Sequence, residues 1–124
     1  MFTVEPDRSE NTLTITYAGH VSAEQTRLCG EEVRRGILEM SPGFCLVANL
    51  TALVSMEIAC SPFLASIMEI CDSAGVAEVV RIIPDPGRDI GLQILSLFHY
   101  RSDVRIRTCS NMAEAIGLLP EAAL

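Results

Sequence analysis

Six side chains able to transfer protons, attack a carbonyl or hold a cation recur where strands are expected to end: His20, Ser55, Glu57, Asp85, Arg88 and Asp89. A histidine near two or three carboxylates can act as an acid or base, or share a cation with them. Turn and capping chemistry already accounts for Asp85 and Asp89. That leaves His20, Ser55, Glu57 and Arg88 unassigned. The stretch from Ala52 to Cys60 mixes apolar with polar residues, as a binding edge does, and reads as a long loop. With its flanks it defines an expected partner or ligand surface: His20, Thr51, Ser55, Met56, Glu57, Ala59, Cys60, Ser61, Asp85 and Arg88.

Other reactive residues point to packing. Phe98-His99-Tyr100-Arg101 reads as a helix end, where the dipole favours a histidine and an arginine, and no second metal ligand lies at helical spacing. The cysteines, Cys29, Cys45, Cys60, Cys71 and Cys109, are odd in number, form no C-x-x-C pair and sit mostly among apolar neighbours. They read as small buried hydrophobes, not metal ligands. All nine basic residues are arginine, which excludes a P-loop, a Schiff base and a lysine general base. A net charge of −7 opposes attraction to nucleic acid. No apolar run approaches the roughly 20 residues that cross a bilayer. The first residues lack the basic and apolar regions of a secretory signal. The expectation is one cytoplasmic domain over residues 1–124, with no membrane span, cofactor, catalytic centre or metal.

The elements that must position these residues follow from periodicity. Phe2 to Glu5 and Thr12 to Ala18 alternate around a polar turn and predict a hairpin. Gly19-His20 ends its second strand. Ser22 with Gln25 forms a capping box for a helix to about Met40. Phe44 to Leu50 is a near-unbroken apolar run, the composition of a central strand covered on both faces. Ser61 as N-cap and Pro62 at the first helical position open a second helix, which Gly75 closes. Glu78 to Ile83 is a β-branched strand. Asp89 caps a helix carrying Ile90, Ile94, Leu95 and Phe98, Val104 to Thr108 alternates as the last strand, and Asn111 with Glu114 caps a final helix.

The order predicts an α/β fold: an N-terminal β-hairpin, then sequential right-handed βα units, giving a mixed, mainly parallel five-stranded sheet with four helices. Thr12, Thr14, Thr16, Arg81, Arg105 and Arg107 are expected to share one bare face, with the crossover helices on the other. An arginine stripe there would suit an acidic surface, including Glu31, Glu32 or Glu39 of a second copy, so a homodimer is one expectation.

The pattern resembles the STAS domain family, the fold of anti-sigma-factor antagonists and of sulfate-transporter tails, over nearly the whole chain. The resemblance is carried by the hairpin ending Tyr17-Ala18-Gly19, by Val47-Ala48-Asn49-Leu50-Thr51 with its following helix, and by Val104 to Leu119 with Glu114-Ala115. It implies a non-enzymatic regulatory module with a protein partner, such as a kinase, an anti-sigma-like protein or a sensor. A looser branch implies a small apolar or lipid ligand, here between Phe63, Ile67 and Met68 on one side and Leu95 and Phe98 on the other. The chain departs from the antagonists at their aspartate-serine-serine-glycine motif. Ungapped counting from Asn49 puts those positions on Glu57, Ile58, Ala59 and Cys60, so the phospho-acceptor is alanine. A two-residue shift makes Ser61 the candidate acceptor.

Overall fold

The computed structural model describes residues 1–83, 100, 101 and 103–118, the last three of these by their backbone alone. The elements are β1 (Phe2–Asp7), β2 (Thr12–Val21), α1 (Ala23–Ile37), β3 (Cys45–Met56), a 3-10 turn (Ile58–Cys60), α2 (Ser61–Ser73), β4 (Glu78–Ile82), β5 (Arg105–Cys109) and α3 (Met112–Leu118). The strands form one sheet in the order β1-β2-β3-β4-β5. β1 and β2 are antiparallel and every later pair is parallel. The expected α/β class and sequential order are therefore present. The helix expected after Asp89 lies outside the described residues.

The first turn closes because Asp7 Oδ1 accepts from the Ser9 amide and hydroxyl and from the Glu10 amide, at 3.0, 2.6 and 3.2 Å. The Ser9 hydroxyl, more than the Glu10 amide, holds the Asp7 carboxyl below its ordinary value. Asn11, at φ 50°, exchanges side-chain hydrogen bonds with the Ser41 backbone and ties the hairpin to the α1–β3 connection.

Alternation puts Leu13, Ile15 and Tyr17 of β2 and Leu46 and Leu50 of β3 on the face that α1 and α2 cover. They pack with Cys29, Val33, Leu64, Ile67 and Cys71. Each fully buried aliphatic side chain of this kind contributes about 1.5–3 kcal/mol. Gly36 lets α1 settle this closely, since a Cβ there would lie 2.9 Å from Leu13 Cδ1. After α2, Gly75 takes φ 93° beside Pro42, a left-handed conformation that glycine adopts without strain.

Two expectations about the faces are corrected. The face opposite α1 and α2 is not bare, because Cys45, Val47, Val80, Ile82 and Cys109 form a second buried cluster there with Ala115 of α3. Among the described residues no strand follows that helix, so the handedness of crossovers does not constrain its side. Arg81 is only 3% exposed and does not join Arg105 and Arg107. It pairs in register with Ala48 and Thr108 and points with Val79 to the α2 side, where Nη2 donates to Thr108 Oγ1 at 3.0 Å. Thr14 and Thr16 stay on the open face, half-buried, and Arg107 Nε meets Glu78 Oε1 at 2.9 Å.

Helix boundaries also move. α1 ends at Ile37, and three tight turn bonds from the Leu38, Glu39 and Met40 amides finish it. Ser22 Oγ caps it by accepting from the Gln25 amide at 3.2 Å, but Gln25 Oε1 accepts from the Met1 amine at 2.6 Å and does not return a bond to Ser22. At α3 Asn111 Oδ1 accepts from the Glu114 amide, and Glu114 Oε2 reaches back one residue past the cap, accepting from the Ser110 amide.

Candidate functional site

The stretch expected as a long loop is mostly strand. β4 pairs with β3 only as far as Asn49, opposite Ile82, whereas β2 and β3 pair on to Val21 and Met56. Two register shifts, between Thr16 and Ala18 and between Gly19 and His20, let both strands continue past the point where glycine was expected to stop one. Gly19 takes φ 68° between them. The outcome is a two-stranded ribbon at the carboxyl end of the sheet, followed at once by the 3-10 turn and α2.

This ribbon gathers most of the expected surface. His20 Nδ1 and Ser55 Oγ lie 2.5 Å apart across it. Thr51 is exposed, and its amide and hydroxyl both donate to Asn49 Oδ1, at 3.0 and 2.5 Å. Met56 packs half-buried against the core, and Ala59 is exposed. Cys60 is fully buried, with Sγ 3.6 Å from the Val21 carbonyl, so it packs beneath the surface. Ser61 is the first residue of α2 and not its cap: the cap is Cys60, which makes no side-chain capping bond, because the 3-10 turn carries helical geometry into α2. Asp85 and Arg88 lie outside the described residues.

Glu57 has the most defined role. Its Oε1 accepts from the Ala23 amide at 2.8 Å, satisfying one of the free donors at the start of α1. Its own amide donates to the Val21 carbonyl, and its carbonyl accepts from the Cys60 amide. The turn is thus fastened to α1 on one side and to β2 on the other.

Sequence reasoning missed the residues this fastening presents. Ile58 is 89% exposed and Val54 is 53% exposed. Leu53, fully buried, shows the signal that was available: strand alternation through Ala52-Leu53-Val54 turns Val54 outward once the segment is read as strand.

Little chemistry is set up here. His20 and Ser55 are both exposed, so the pair lacks the exclusion of water that strengthens a nucleophile and its base. Among the described residues, no group of three His, Cys, Asp or Glu side chains could hold a metal. Three of the buried thiols are suppressed: desolvation pushes Cys29 up to about 11, and Cys45 and Cys71 up to about 12. Burial likewise raises the phenols of Tyr17 and Tyr100 well above their usual value.

A cavity of about 50 Å³ lies between α2 and the sheet, lined by Tyr17, Ala48, Leu64, Met68, Arg81 and Tyr100 among others. Ile67 and Met68 face it as expected, but Phe63 turns to the groove between α1 and α2; Leu95 and Phe98 lie outside the described residues. A cavity that retains benzene is roughly three times larger. Among the described residues, no helix is long and apolar enough to cross a membrane.

No protein-family model matches the chain, and no curated protein does. Solved structures do. Its fold is similar to that of the anti-sigma factor antagonist SpoIIAA in its unphosphorylated form, at TM-score 0.64 and 15% identity, covering 94% of this chain and 96% of that one. The phosphorylated form of the Bacillus cell fate determinant SpoIIAA aligns at TM-score 0.67 and 15% identity, over 97% and 100%. A DUF3478-family protein with a SpoIIAA-like fold from Shewanella loihica aligns at TM-score 0.73 and 11% identity, over 96% and 94%. These likenesses span 94–97% of this chain, and the fold is STAS-like.

Proposed function

We propose that this chain is a non-enzymatic regulatory module of STAS type that acts by presenting the β2–β3 ribbon and the 3-10 turn to a protein partner. The observation that carries the reading is Ile58, an isoleucine left 89% exposed on a turn that Glu57 fastens at 2.8 Å to the start of α1. Exposed apolar side chains on a rigid, pre-organised turn suit insertion into a partner's pocket, because little freedom is lost on binding. Val54 and Ala59, also exposed, flank Ile58 in the chain. Ser55, His20 and Thr51 supply a polar rim.

The fold shared with anti-sigma factor antagonists supports a partner drawn from phosphorylation-linked regulation, such as a kinase or an anti-sigma-like protein. The switch itself is altered in this chain. The counted acceptor position is Ala59, and Ser61 sits inside the first turn of α2 ahead of Pro62. The reading is therefore of a module that docks without being phosphorylated at the standard position. The apolar-ligand alternative draws less support, since the cavity behind α2 is too small for an acyl chain.

The test is native mass spectrometry of the protein purified from its own host, with Ile58→Asp beside the parent chain. A protein partner retained by the parent and lost from Ile58→Asp supports the reading. A bound small molecule with no protein partner, or a partner indifferent to Ile58→Asp, overturns it. Intact mass after incubation with the host's kinases should be unchanged. A single phosphate that disappears in Ser61→Ala would restore the switch.

A further inference from the structure

The partner surface does not stop at the turn. The 3-10 turn runs into α2, and Phe63, one turn along, lines the head of a groove between α1 and α2. Two adjoining hollows of about 200 and 440 Å³ make up this groove and share Arg34, Ser66 and Ile70. Its floor is small or apolar: Gly30, Ser66, Ile70 and Ala74 leave a channel in which another backbone can approach closely. α1 and α2 have 15 and 13 residues, so the channel is on the order of 20 Å long, which about 13 helical residues span.

The charges along it are unequal. Arg27 on the α1 wall is already held by Glu24 at 2.5 Å and Glu31 at 3.1 Å. Arg34, one full turn past Glu31 and exposed, makes no ion pair among the described residues. Glu31 and Glu69 also line the groove, but Glu31 is held by Arg27 and neither carboxylate pairs with Arg34, so a carboxylate is the complement that Arg34 lacks among the described residues.

We infer that the groove between α1 and α2 seats an amphipathic helix of the partner, with apolar residues at i, i+3 or i+4 and i+7 on the Gly30–Ser66–Ile70 floor and a carboxylate against Arg34. This rests on the reading that the neighbouring turn is a partner surface, and it names the partner's chemistry. An extended strand would leave its backbone groups unpaired in the channel, whereas a helix satisfies its own. Helices nest where small residues open a groove between two ridges.

A photoreactive benzoyl-phenylalanine is placed at Ser66, and separately at Ile58, in the full chain expressed in its own host, and the cross-linked peptides are sequenced. The inference expects Ser66 to trap a segment with helical apolar spacing and an acidic residue. The yield should fall about fivefold in Arg34→Glu and recover in Arg34→Lys, the scale of one exposed ion pair. A trapped segment without that spacing, a yield indifferent to Arg34→Glu, or a second copy of this chain in the groove would overturn it. Trapping from Ile58 with none from Ser66 removes the groove and keeps the turn as the interface. Trapping from neither removes both.

Discussion

Glu57 joins the stability of the fold to the shape of its proposed interface, and its replacement by alanine separates the contributions. In Glu57→Ala the Ala23 amide loses its acceptor, which for a helix N-terminus costs about 1 kcal/mol, and the favourable carboxylate-dipole interaction of about 0.3–1 kcal/mol goes with it. The sum is about 1–2 kcal/mol. For a domain of this size that lowers Tm by roughly 4–10 °C. Glu57→Gln keeps an oxygen able to accept and loses only the charge, so it should fall by about a third to a half as much. Ser22 still caps the Gln25 amide in both variants. Urea unfolding at low and high salt is the assay, because salt screens the dipole component and not the neutral hydrogen bond. A Glu57→Ala chain within about 0.3 kcal/mol of the parent, or a Glu57→Gln chain as weak as Glu57→Ala, would refute the fastening and the rigidity argued from it.

Ile58→Asp should leave the urea midpoint within the roughly 0.5 kcal/mol usual for surface changes, since the side chain is 89% exposed; a larger loss would mean that Ile58 is packed and not presented. Stability should fall at alkaline pH. Cys29, Cys45 and Cys71 are raised from 9.0 to about 11, 12 and 12 when folded, so their contribution is complete below about pH 9 and drains away as pH climbs through 11–12. Each thiol can add up to ~1.4 kcal/mol of loss per pH unit, and a urea midpoint unchanged from pH 8 to 10.5 would contradict their burial. Gly30→Ala and Gly36→Ala should differ although both lie in α1. A Cβ at 30 meets Ile67 Cγ1 at an ordinary 3.6 Å, and the helix gains up to about 1 kcal/mol of propensity. A Cβ at 36 presses on Leu13 at 2.9 Å and overpacking costs about 1–3 kcal/mol, so equal thermal shifts would count against that packing.

Where one physical rule governed an element, the sequence was readable. The alternation of Leu13, Ile15 and Tyr17 against Thr14 and Thr16 oriented the first part of β2 correctly, because among the described residues helices cover only one of its faces. Arg81 was misplaced because Val79, Val80, Ile82 and Ile83 are apolar on both faces of β4, so no alternation remained to orient the arginine between them. The side chosen by α3 was hidden for a related reason: no described strand follows it, so no crossover rule applies, and the apolar patch of Cys45, Val47, Val80 and Ile82 decides where it lands. The site suffered most from glycine. Gly19 looked like a stop, yet its left-handed backbone sits in an irregularity that lets β2 run on, and the ribbon carrying Ser55 and Val54 depends on that continuation.

The sheet's order, in which each strand lies beside the one made just before it, bears on how the chain is assembled. Apart from the pairing of the hairpin itself, every strand finds its neighbour already in place as synthesis proceeds, and β1 to α2 bring together most of the larger apolar cluster within the first 73 residues. Folding can therefore advance from the ribosome outward, with β4 and β5 laid onto a finished edge and α3 closing the second side last.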